Sequence, residues 1–144
     1  MDQAETVRLL KEVYQNSRTA VDAIGTLLPK TSSEDFASSL RRQMEEYRKI
    51  ADDAAMQLRG FRELPEESGV FSKLGMWTGV QMSTLVNKST DHMAEIMING
   101  STMGVIEMTK YLNANPDVSS FALDLARRLV AAEQDNIDVM RRYL

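Results

Sequence analysis

Four polar side chains fall among apolar residues at helical spacing and are the candidates for a chemical role. When each predicted helix is projected at about 100° per residue, Gln43, Asn99, Glu133 and Asn136 lie on or beside its apolar stripe. A buried carboxylate needs hydrogen-bond partners or it takes up a proton. The pattern predicts a polar core layer built around Glu133. Such a layer could fix helix register, bind a small ligand, or carry out metal or acid–base chemistry. The alternative to a buried layer is a Glu133 side chain that points into solvent.

The single histidine, His92, lies three residues before Glu95, so the two share one face of a helix. Together with Glu133 they are the candidate ligands for a divalent metal ion. The competing interpretation is a first-turn histidine that packs or caps locally. We expect no cofactor, with a divalent metal as the alternative, and no catalytic residue is predicted.

Composition excludes several kinds of chemistry. The chain has no cysteine, which removes thiol catalysis and cysteine-based metal sites. It has neither a glycine-rich phosphate loop nor a nucleophile elbow. Its formal net charge is −4, and its basic residues occur as scattered pairs among acids, so no nucleic-acid partner is expected. The charged first residues and the lack of an apolar run of about 20 residues predict a cytoplasmic protein without a membrane partner.

The elements that must position these side chains are all helical. Apolar residues recur at intervals of three and four along the chain, and no segment alternates like a strand. Thr31–Asp35, Asn87–Asp91 and Asn113–Asp117 are typical of helix boundaries, with Asp117 as the expected cap of the last helix. The predicted helices cover about residues 3–28, 34–60, 90–112 and 118–144, with a shorter apolar segment over 70–86.

The short segment determines the predicted topology. A single helix over residues 70–112 would be longer than 60 Å at about 1.5 Å per residue, against about 40 Å for the others, so the chain is expected to break near residues 87–90. Four long helices with one crossover between the second and the third form the ferritin-like arrangement. The sequence therefore predicts one all-α domain over residues 1–144. In it Gln43, Asn99 and Glu133 would lie at one level.

Two stretches carry a family resemblance: Gly75–Trp77 in the crossover and Asp91–Gly104 in the following helix. With the helix order, they make the chain resemble the ferritin-like superfamily and the small ferritin-like and spore-coat-F-like proteins of sporulating bacteria. Metal-binding members of that superfamily carry a Glu on each of two helices and Glu-x-x-His on the other two. Here the last helix has Glu133 followed by Asn136 in place of His. The resemblance implies a bundle without most of the metal ligands.

Methionine and glycine indicate a partner for the third long helix. Six of the ten methionines lie between residues 76 and 108, and glycines four residues apart occur at 75 and 79 and again at 100 and 104. Helix glycines permit close backbone approach, and a helix that is apolar nearly all round is covered nearly all round. We expect a homodimer through residues 70–108.

The predicted function is a non-catalytic structural or interaction protein, associated with sporulation or a coat. The alternatives are a degenerate di-metal-carboxylate protein and a small-ligand binder with a polar site in the core.

Overall fold

Four long helices make up the described part of the fold. The computed structural model describes residues 2–65, 86–114 and 116–144, and these residues contain no strand. The long helices are α1 (Gln3–Leu27), α2 (Glu34–Gly60), α3 (Thr90–Asn113) and α4 (Ser120–Arg141), and a 3-10 turn at Leu28–Lys30 joins α1 to α2. The fold is all-α, as the apolar spacing predicts. The predicted crossover lies outside the described residues except for Val86, which is not helical.

Capping residues set the starts of the helices. The carboxylate of Asp2 accepts hydrogen bonds from the first turn of α1, and the hydroxyl of Ser33 accepts one from the first turn of α2. The expected cap of α4, Asp117, is wrong by two residues, because the hydroxyl of Ser119 accepts the bond from the N–H of Ala122. The backbone of Asp117 is used elsewhere: its carbonyl accepts from the N–H of Asp2 at 2.8 Å.

Contacts between helices fix their directions. The bond between Asp2 and Asp117 places the starts of α1 and α4 at one end of the bundle. At the other end, the hydroxyl of Tyr143, just after α4, lies 2.8 Å from the hydroxyl of Ser39 near the start of α2. Therefore α2 runs opposite to α4, and so does α3, which a short loop joins to α4. It follows that α2 and α3 run in the same direction.

The break expected before the third long helix is present. Residues 86–89 are not helical, and α3 begins at Thr90. Because α2 and α3 are parallel, the chain leaves α2 at one end of the bundle and enters α3 at the other. This agrees with the predicted need for a connection along the length of the bundle.

The core lies between the four helices, and α1 and α4 each pack against the other three. Its largest fully buried side chains include Phe36 and Tyr47 of α2 and the methionines at 93, 97 and 108 of α3. The methionines at 93, 97 and 108 of α3 therefore belong to the core. Among the described residues, nine buried polar or charged side chains interrupt the apolar core, and several of them are close together in space.

Candidate functional site

A cluster of buried polar side chains lies between α2, α3 and α4. Gln43 and Tyr47 come from α2, Ser101 from α3, and Glu133 and Asn136 from α4. Glu133 is only 1% exposed and Asn136 is completely buried. We call these five residues the polar cluster. Helical spacing explains their common orientation, since Gln43 and Tyr47 are four residues apart and Glu133 and Asn136 are three apart.

The antiparallel packing arranges the polar cluster in two levels. In the upper level, the side-chain amide of Asn136 donates a hydrogen bond of 2.5 Å to the hydroxyl of Ser101. One turn lower, the carboxyl of Glu133 packs over Gly104, three residues after Ser101. The contacts that join α2 to α4 put Gln43 near the upper level and Tyr47 near the lower one.

The polar cluster is only partly satisfied. Within the described residues, the buried side-chain atoms without a hydrogen-bond partner are both amide atoms of Gln43, the hydroxyl of Tyr47, Oε2 of Glu133 and Oδ1 of Asn136. All of them belong to this one cluster. Folded proteins satisfy the large majority of buried polar atoms, so a group of unpartnered atoms in one place calls for an explanation such as water or a ligand.

Burial controls the charge of the polar cluster. It raises the pKa of the Glu133 carboxyl from 4.5 to about 8, and the nearby hydroxyls of Ser101 and Tyr47 offset only part of that rise. The pKa of Tyr47 is raised well above 10.0, first by burial and then by the neighbouring Glu133 carboxyl. At neutral pH both groups therefore hold their protons, and the polar cluster is predominantly uncharged.

Gly104 makes room for the carboxyl group. A Cβ atom at this position would lie 2.9 Å from Oε2 and 3.0 Å from Cδ of Glu133. The spacing of the glycines at 100 and 104 predicts close backbone approach between α3 and a partner. For Gly104 the neighbour is the side chain of Glu133 in α4. Gly75 and Gly79 lie outside the described residues.

A groove between α2 and α4 leads toward the polar cluster. It has a volume of about 610 Å³, and Gln43 and Tyr47 line its inner side. Small apolar side chains of α4 form part of its wall: Ala131, Ala132 and Val139. Its rim carries charges of both signs, from Arg42, Glu45, Glu46, Lys49, Arg128 and Asp135.

Two contacts between α2 and α4 bracket the groove. At one end Arg128 forms an ion pair with Asp53, with an Nη1–Oδ2 distance of 2.7 Å. At the other end the hydroxyl groups of Ser39 and Tyr143 lie within hydrogen-bond distance. Gln43 and Tyr47 lie between these contacts and belong both to the groove wall and to the polar cluster.

The structure brings three members of the predicted layer together and leaves one outside. Gln43, Glu133 and Asn136 are buried, whereas Asn99 is exposed. The assignment of Asn99 to the layer is wrong. Because α3 is apolar on nearly every side, its apolar stripe does not define which face points inward. Ser101, two residues further along, supplies the inward hydroxyl instead. Ser17 of α1 is also buried, but its hydroxyl donates to the carbonyl of Val13 in its own helix at 2.5 Å.

The three candidate metal ligands do not come together. His92 is half-buried in the first turn of α3 and Glu95 is exposed. Glu133 packs against Gly104, which is about 18 Å along the helix from His92 at 1.5 Å per residue. Among residues 2–65, 86–114 and 116–144, no three His, Cys, Asp or Glu side chains form a group that could hold a metal ion.

The predicted polar core layer included neither Tyr47 nor Ser101. A usable signal for Tyr47 was its position four residues after Gln43 on the same helix face. For Ser101 the signal was its spacing of three residues from Gly104.

Comparison with known proteins shows the fold. No protein-family model matches the chain, and no curated protein matches it. The crystal structure of a DUF305 fragment from Deinococcus radiodurans is similar to it with a TM-score of 0.75 over 95% of this chain and 93% of that chain. The two sequences are 18% identical, so the likeness concerns the fold alone. Within the described residues, no helix is both long and apolar enough to cross a membrane.

Proposed function

We propose that this protein is a non-catalytic helical bundle that binds a small polar molecule in the groove between α2 and α4. The single observation that carries the proposal is that Gln43 and Tyr47, which line that groove, have buried polar atoms without hydrogen-bond partners. A polar layer that only fixed helix register would have all its members hydrogen-bonded, because a half-satisfied layer destabilises the fold. The upper and lower levels of the polar cluster both contain unpartnered atoms.

Gln43 is the residue through which a ligand would reach the polar cluster. Its side chain lines the groove, while its amide atoms are buried and unpartnered. Rotation of a side chain occurs within picoseconds to nanoseconds on a protein surface, and rotation of this amide would turn its donors and acceptor toward the groove. The wall formed by Ala131, Ala132 and Val139 suits the apolar part of a small molecule.

The other expectations remain predictions. The parallel arrangement of α2 and α3 supports a ferritin-like bundle, and the helix order supports the resemblance to spore-coat-F-like proteins. A cytoplasmic location and a role in a coat rest on the sequence. A degenerate di-metal function has weaker support, because among the described residues no three His, Cys, Asp or Glu side chains form a group that could hold a metal ion.

Binding can be tested by titration with four small probes of similar size: propylammonium, propionamide, propionate and 1-propanol. We expect at least one to shift the side-chain amide resonance of Gln43 saturably in a ¹H–¹⁵N correlation spectrum. The Gln43→Leu variant should lose that binding, whereas Asn99→Leu, which removes an exposed amide, should keep it. If none of the probes binds saturably, the unpartnered atoms are satisfied by water and the proposal is wrong.

A further inference from the structure

When the Glu133 carboxyl is ionised, three of the unpartnered atoms of the polar cluster are oxygens that accept hydrogen bonds. Oε1 of Gln43, Oε2 of Glu133 and Oδ1 of Asn136 lack a donor within the described residues. The other two unpartnered atoms are the amide nitrogen of Gln43, which only donates, and the hydroxyl of Tyr47, which can donate and accept. A bound molecule that complements the polar cluster must therefore supply N–H or O–H donors.

The polar cluster also has no cation of its own. In the part of the chain that the structure describes, no lysine, arginine or histidine belongs to the buried polar residues, and no such side chain offsets the raised pKa of Glu133. In the absence of a cation, the Glu133 carboxyl holds a proton. The positive residues at the rim are exposed, and Arg128 is neutralised by Asp53 and Glu46.

A ligand cation could take the place of that proton. An ammonium group has three donors and no acceptor, which matches three acceptors on three different side chains. The rim carries three acids and three bases, so its charges neither favour nor oppose the approach of a cation. The apolar wall of the groove would contact an alkyl body behind the ammonium group.

We propose that the ligand is a small primary amine, whose ammonium group binds Gln43, Glu133 and Asn136 and displaces the carboxyl proton of Glu133 into solvent. This inference rests on the proposed function, since it names the class of ligand for the same groove. No bond of the amine is broken or made. The exchange is one proton released for one ammonium bound.

The exchange makes binding depend on pH in a defined direction. Near neutral pH, amine binding must release a proton, so affinity should increase as pH rises toward about 8, where the carboxyl ionises unaided. Above that pH the affinity should level off and proton release should vanish, as long as the amine itself stays protonated.

The test is calorimetric titration of the full chain with propylammonium in two buffers of different protonation enthalpy. We expect close to one proton released per amine at pH 7 and almost none at pH 9. Glu133→Gln should weaken binding at least tenfold and abolish proton release, whereas Glu95→Gln, an exposed glutamate on α3, should bind as the unmodified protein does. Tetramethylammonium, a cation without N–H donors, should not bind.

The outcomes separate this inference from the proposed function. If propionamide or 1-propanol binds through Gln43 and propylammonium does not, the groove binds ligands but the amine class is wrong. Tetramethylammonium binding as tightly as propylammonium, or unchanged proton release in Glu133→Gln, would also overturn the inference. If no probe binds, both proposals fail together. Circular dichroism of each variant establishes that it is folded.

Discussion

Glu133 is a carboxylic acid inside an otherwise neutral core, and its proton links folding to pH. The raised pKa of its carboxyl follows from the loss of hydration, which nearby hydroxyls offset only in part. In an unfolded chain the same group ionises near pH 4.5. Between these two pKa values the folded state holds a proton that the unfolded state releases.

The first prediction concerns this pH window. Because the folded state binds more protons, the free energy of unfolding should fall as pH rises from about 4.5 to about 8, with a slope of up to ~1.4 kcal/mol per pH unit from Glu133. Glu133→Gln removes the ionisable group and should flatten that part of the profile. Urea unfolding measured from pH 4 to pH 9 checks this. Glu95→Gln is the control, and identical slopes in both variants would show that Glu133 is hydrated.

The second prediction at the residue scale concerns Gly104. Gly104→Ala would place a methyl group against the Glu133 carboxyl and force it to move within the core. Gly25 in α1 has nothing within 4 Å of the corresponding position, so Gly25→Ala should stabilise its helix by about 0.5–1 kcal/mol. Gly104→Ala should be less stable than Gly25→Ala by about 1–3 kcal/mol, because this is the usual cost of adding a methyl group to a well-packed core. Equal stability in denaturant unfolding would mean that the carboxyl adjusts without cost.

Whether the sequence predicts which side chains point into the core depends on the width of the apolar stripe of each helix. In α2 and α4 the apolar stripe is narrow, so the inward direction of Gln43, Glu133 and Asn136 could be inferred from spacing. In α3 apolar residues lie on nearly every side, and spacing does not distinguish Asn99 from Ser101. Packing of α3 against α4 determines which of the two residues points into the core, and this packing cannot be inferred from a single sequence.

At the scale of elements, the ends of α2 and α4 are held together by Tyr143. Its hydroxyl donates to Oδ2 of Asp35 at 2.8 Å and lies 2.8 Å from the hydroxyl of Ser39. Its ring meets that of Phe36 edge-on, with 5.0 Å between centroids. These contacts fix the register of the two helices that form the groove.

The third prediction separates the two contributions of Tyr143. Tyr143→Phe keeps the ring contact with Phe36 and removes the hydroxyl, so it should cost about 0.5–1.5 kcal/mol of stability, the net worth of a typical hydrogen bond. Tyr143→Ala removes both and should cost about 3–5 kcal/mol where the ring is well packed. Thermal or urea unfolding gives both values. If the two variants are equally stable, the ring contact contributes nothing and the register is set elsewhere.

At the scale of the whole molecule, helix number and direction could be predicted because they follow from chain length and from breaks at proline, asparagine and capping residues. A single helix over residues 70–112 would have been longer than the other helices of the bundle, so the break before Thr90 could be predicted from helix length. The sequence predicts the N-cap of α4 at Asp117, two residues before the observed cap at Ser119, because several successive polar residues can each cap a helix. Residues of the polar cluster line a groove because of the way α2 packs against α4. No local pattern in the sequence predicts that packing.

The last prediction concerns assembly. The expected dimer uses residues 70–108, and within the described part of that range Met103 and Ile106 are exposed by 41% and 51% on one face of α3. A chain of 16.2 kDa should then give about twice that mass by light scattering at micromolar concentration. Ile106→Glu would bury a charge in such an interface and should yield the monomer mass. Phe121→Glu changes a residue of similar exposure, 48%, outside the predicted interface and should leave the mass unchanged. A monomer mass for the unmodified protein at all concentrations up to about 100 μM would show that this face is simply hydrated, as scattered apolar side chains on protein surfaces commonly are.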